Sequence, residues 1–166
     1  MHGGIVSSPE FPFPFSLIFK HGWVLFIGVT LINAFTLKFR SKKYIEQNPA
    51  LEEGYEKLFQ GYVIFMNLPW AALGIGMIFG RFNSLFDVMF GFRSGNIFTL
   101  LFLGTVIALW ILSVIWIYFL NGAEFLVEYP GVFNSNIKSP LMIKIWFALS
   151  LMGGILGLIF MLNMTW

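Results

Sequence analysis

Cysteine is absent from this 166-residue chain, which excludes disulfides, thiol catalysis, cysteine-ligated metals and iron–sulfur clusters within it. Charge is scarce as well: 11% of residues are Asp, Glu, Lys or Arg, against 58% hydrophobic. So few charges cannot wet the surface of a water-soluble domain of this size. Histidine occurs only at His2 and His21. Two histidines so placed cannot form an axial pair across one bundle, which excludes an intrachain bis-histidine haem. No cofactor is expected, and a haem or chlorin would have to be shared between subunits. Metal, nucleotide and catalytic motifs are lacking too. The apolar stretches hold no nucleophile–base pair and no acid dyad, so an enzyme is not expected. The one basic cluster is small and interspersed with acids, which argues against a nucleic-acid partner.

What the chain has in abundance is long apolar runs, over Ser16–Leu37, Gln60–Gly80, Asn96–Leu120 and Leu141–Asn163. Each is about 20 or more residues, and a helix rising about 1.5 Å per residue needs roughly 20 to cross a hydrocarbon core. The expected fold is all-α: a single polytopic membrane domain over 1–166, a bundle of four transmembrane helices with short interfacial helices. The helices are expected at about 16–38, 49–80, 96–120 (with a continuation to 129) and 140–164. Met1–Phe15 lacks the basic start of a secretory signal, and the first run is longer than a signal core, so it reads as a retained helix. The prolines of Phe11-Pro12-Phe13-Pro14-Phe15 push that stretch toward extended geometry.

Local signals mark the helix ends. Asn48-Pro49 followed by Glu52 and Glu53 supplies a cap, a proline suited to the first turn, and acids that complement the helix dipole. Leu51, Tyr55, Leu58, Phe59 and Tyr62 recur at helical spacing, so the second helix is expected to run unbroken from Pro49 into the membrane, with a Glu53–Lys57 pair on its wet face. Ser84 and Asp87 suggest a short interfacial helix over about 84–90. Ser139-Pro140 starts the fourth helix.

Charge placement predicts topology. Lys38, Arg40, Lys42, Lys43, Lys57, Lys138 and Lys144 fall on one side, and Lys20, Arg81 and Arg93 on the other. The cytoplasmic bias of Lys and Arg places the 38–59 connection inside and both termini outside. The expected setting is the bacterial inner membrane.

Several polar groups at or near membrane depth are candidate sites. Pro69 cannot donate to the Phe65 carbonyl, and that freed carbonyl beside Asn67 could hold water, an ion or a ligand group. Asn33, at similar depth on the first helix, is the expected cross-helix partner of Asn67. Lys20 extends to the headgroups at the outer start of the first helix, and His21 beside it is the candidate for pH sensing or cofactor binding. Lys144 is expected to pair with Glu124 and Glu128. Lys38, Arg40, Lys42 and Lys43 are placed to hold anionic lipid headgroups. The small-residue pairs Gly76–Gly80 and Gly153–Gly157 mark close helix packing.

Together these features favour a small structural or accessory subunit of a membrane assembly, whose partners are the lipid bilayer and other membrane subunits or copies of itself. The alternative is an oligomeric channel or transporter with a pathway lined near Asn33, Asn67 and Pro69. A pore requires those groups to face a wet cavity, whereas an accessory subunit satisfies them within the bundle.

Overall fold

The computed structural model describes residues 15–79, 82, 84, 87–88, 91, 95–133 and 137–163. The extended stretch expected before Phe15 lies outside these residues, as do most of the 84–90 helix, His2, Gly80, Arg81, Arg93 and Trp166. Within them the fold is all-helical, with four helices long and apolar enough to cross a membrane.

Helix α1, Phe15–Gln47, is 33 residues long, about 50 Å at the standard rise. It continues past the expected end near residue 38, because hydropathy marks where the oil ends and not where the helix ends. Between Lys38 and Gln47 no glycine or proline interrupts it. The stop comes at Asn48, forced extended (φ −147°, ψ 93°) by the following proline, with its side chain accepting the Ala50 N–H.

The second span is not the single helix expected over 49–80. A 3₁₀ turn at Pro49–Leu51 leads into α2, Glu52–Phe65, and a break at Met66–Asn67 separates this from α3, Leu68–Ile78. The physical cause is Pro69 in the first turn of α3, which has no N–H for the Phe65 carbonyl. Helix α4 covers Ile97–Phe119, capped by Asn96, whose side chain accepts the Phe98 N–H at 2.9 Å. It does not continue to Tyr129. Asn121 turns left-handed (φ 57°), and a separate short helix α5, Gly122–Glu128, leads the chain away. Helix α6 covers Pro140–Asn163.

Antiparallel pairs fix the register of the first two spans. Lys38 meets Glu56, Phe35 meets Phe59, Thr30 meets Asn67, Phe26 stacks on Trp70 and Trp23 covers Gly74, stepping down both helices in opposite directions. Helix α3 then lies between α1 and α4. Its buried face is Ala72, Leu73, Gly74 and Gly76, small enough for close approach on both sides.

Two small cores sit at opposite ends. One groups Leu73, Phe82 and Val88 with Trp23, Trp70 and Phe98; the other groups Ile117, Ala123, Leu126 and Ile143 with Leu58, Phe133 and Phe147. Helix α6 is the least covered span, with 6% of its apolar window buried. It stands off α4 on bulky side chains, Tyr118 against Phe147 and Trp110 against Gly154, and an apolar cavity of about 260 Å³ lies between them. The result is a compact sheaf of three spans with a fourth leaning on it.

Candidate functional site

The break in the second span organises a polar knot. Met66 N–H still bonds the Tyr62 carbonyl, but Asn67 N–H shifts to the Ile64 carbonyl at 3.2 Å, a tighter i−3 bond. That shift strips the Val63 carbonyl of its usual donor. The Asn67 side chain replaces it: Nδ2 donates to Val63 O at 2.7 Å. Its Oδ1 accepts from the Thr30 hydroxyl on α1, which also lies 2.8 Å from the Ile27 carbonyl. One amide therefore repairs its own helix and ties it to a neighbour, in oil where an unmade backbone bond is costly.

Thr30, not Asn33, is thus the partner of Asn67. Asn33 is one turn further along α1 and is exposed. Depth matching alone allows either residue; helix rotation selects Thr30, and rotation is not set by depth. Phe65 is half-exposed and Pro69 partly buried, so the structure gathers only Asn67 of the expected pathway residues into a bonded cluster.

The second polar region lies where α1, α2, α5 and α6 meet, at the end of the bundle that carries Lys38, Lys43, Lys138 and Lys144. Tyr55, 3% exposed, donates its hydroxyl to the Pro130 carbonyl at 2.6 Å. Tyr129 packs edge-on to Tyr55 and against Phe125, with its hydroxyl over Gly54, where a Cβ would collide. Gly131 adopts φ 81° and lies against the Tyr44 ring, a backbone conformation and a clearance that favour glycine. These contacts clamp the loop after α5 onto the ends of α1 and α2.

Beside the clamp, Lys144 Nζ lies 2.8 Å from Glu124 Oε1, and Tyr118 donates to the Lys144 carbonyl at 2.7 Å. The hydrogen bond from Lys144 holds the Glu124 carboxyl below the ordinary carboxylate range. Glu128, one helical turn further along, is exposed, and the ion pair of Lys144 is with Glu124.

The remaining candidates disperse. Lys38 bridges to Glu56 at 3.3 Å and covers Phe59 at 4.5 Å; Lys42 lies over Phe39, Lys43 over Tyr44, and Arg40 is exposed. Lys20 and His21 are exposed on the first turns of α1. Gly76 packs tightly on Phe82 and Phe98, whereas Gly153 and Gly157 face open space. The glycine of α6 that packs within this chain is Gly154, under Trp110 of α4; its neighbours at the small-xxx-small spacing, Gly153 and Gly157, face open space. Among the described residues no cluster of His, Asp or Glu could hold a metal.

Sequence reasoning missed Thr30 and the Tyr44–Tyr55–Tyr129 clamp. Tyrosines flanking a proline–glycine turn were the available signal, but their convergence comes from helices distant in sequence. No protein family, curated protein or solved structure matches the chain. Fold and polar groups together define a membrane-embedded helical protein of four spans, in which Asn67 bonds Thr30 and its own helix while the buried Thr99 hydroxyl has no hydrogen-bond partner among the described residues.

Proposed function

We propose that this chain is a structural or accessory subunit of a membrane assembly, packed against other membrane subunits or copies of itself. The observation that carries this reading is the exposed Asn33 amide, flanked about one turn to either side on α1 by Val29 and by Thr36, whose hydroxyl bonds the Ile32 carbonyl. An amide turned toward hydrocarbon is unfavourable unless another helix supplies a partner. The uncovered α6, with Gly153 and Gly157 facing outward, supports the same conclusion. Asn67 and Thr30 bond to each other instead of lining a wet passage, which weighs against transport through a single chain. Orientation follows the clustered lysines: the end bearing Lys38, Lys43, Lys138 and Lys144 faces the cytoplasm, in a bacterial inner membrane.

The chain has no cysteine, so Asn33→Cys and Gly153→Cys each introduce a single reporter. Native mass measurement in mild detergent is expected to give an assembly heavier than one 19.0 kDa chain, with crosslinks at one or both reporters. A lone monomer that crosslinks at neither position rules the proposal out. A second reading, an oligomeric pathway past Asn33, draws on that same exposed amide. It requires ion or solute flux in liposomes that Asn33→Leu abolishes.

A further inference from the structure

We propose that the cavity between the end of α1 and the loop after α5 is a binding site for the phosphate-bearing headgroup of an anionic phospholipid, held by Lys43 and Lys138. The cavity is about 410 Å³, within the roughly 300–1,000 Å³ range of small-molecule sites. Its lining has two faces. Lys43, Gln47, Tyr44 and Lys138 bring polar hydrogen-bonding groups, while Phe133 and Ile137 give an apolar flank. Among the described residues no carboxylate lines it, and neither Lys43 nor Lys138 is in a salt bridge there.

That combination has a specific chemistry. Ammonium groups donate and never accept, and two of them around one cavity match a group with several anionic oxygens. The apolar flank suits the glycerol and first methylenes of a lipid, at the end of the bundle where headgroups lie. Part of the wall is also held in advance: Tyr55 bonds Pro130 and Tyr44 packs on Gly131, so residues 129–131 do not have to order on binding. Lys38 and Lys144 differ from this pair, because each already has its own carboxylate at 3.3 Å and 2.8 Å. Residues 43 and 138 are 95 positions apart, so this site comes from tertiary folding and not from a basic run.

The test uses the full chain in mild detergent, with bound lipid counted by native mass spectrometry. Phosphatidylglycerol is titrated against phosphatidylcholine, and separate arms use glycerol 3-phosphate and inorganic phosphate. One phosphatidylglycerol per chain is expected to bind ahead of phosphatidylcholine. In K43Q/K138Q its binding is expected to weaken about 30-fold, the effect of two surface-attracted lysines. K57E, with the same change in net charge, is expected to stay within about threefold of the parent, and K43R/K138R likewise. Circular dichroism and elution volume verify that each variant is folded. Equal weakening in K57E and K43Q/K138Q overturns the proposal, as does loss of binding in folded K43R/K138R. Binding of the free phosphates without the lipid overturns the assignment to a headgroup.

Discussion

Replacing Gly122 with alanine tests whether the turn between α4 and α5 is as tight as its geometry states. A Cβ at this position would lie 2.7 Å from the Trp116 backbone oxygen and 2.7–2.8 Å from two atoms of its indole. A side chain could swing aside, but a carbonyl inside the last turns of α4 cannot do so without moving the helix. Trp116 also packs against Phe125, and its neighbour Ile117 belongs to the core formed with Ala123, Leu126 and Ile143. Overpacking of this kind costs about 1–3 kcal/mol. Against it stands the helix preference of alanine over glycine, up to about 1 kcal/mol, reduced at a helix start. The net expectation for Gly122→Ala is a loss of about 1–2 kcal/mol. Gly104→Ala is the matched control: it lies inside α4 with nothing within 4 Å of the added carbon, so it should gain up to about 1 kcal/mol. Thermal unfolding followed by circular dichroism in one detergent should order the midpoints Gly104→Ala, parent, Gly122→Ala. A Gly122→Ala midpoint at or above that of Gly104→Ala would refute the reasoning.

Three further outcomes follow from the polar contacts. Asn67→Leu should cost about 1–2 kcal/mol, because it strands the Val63 carbonyl and removes the tie to Thr30, whose hydroxyl keeps the Ile27 carbonyl, while Thr30→Val costs under about 1 kcal/mol. In the monomer Asn33→Leu should be neutral, and equal losses at 33 and 67 in an unfolding titration would contradict the register described here. Glu124 is held below its usual range by Lys144, so its contribution is present above the unfolded carboxylate pKa and is lost as pH falls through the lower folded one. Acid titration of the parent should show this loss and Glu124→Gln should not; identical acid profiles would show that the pair contributes nothing. Tyr55→Phe removes the 2.6 Å bond to Pro130, worth about 1 kcal/mol. Amide exchange in the 129–133 loop should quicken, and unchanged protection there would mean that packing alone closes the clamp.

Four spans, their order and most of their boundaries could be read directly from the chain, because solvation by hydrocarbon leaves so few alternatives: every backbone polar group must bond within its own helix. The starts at Asn48-Pro49 and Ser139-Pro140 were equally legible, since each depends on a residue's own φ and its missing N–H, whereas the end of α1 at Gln47 was not. The break at Met66–Asn67 was visible as a proline but not as a knot, because the repair of Val63 by the Asn67 amide depends on which way the freed carbonyl turns. Tertiary structure decided the rest. Rotation of α1 about its axis chose Thr30 over Asn33, and bulky residues on α4 chose Gly154 over Gly153 and Gly157. The meeting of Lys43 with Lys138 required α1 and the loop after α5 to be clamped by tyrosines from separate helices. Depth in a membrane is a one-dimensional property that composition encodes along the chain. Azimuth, the direction each helix face points, is set only when neighbouring helices compete for the same contacts.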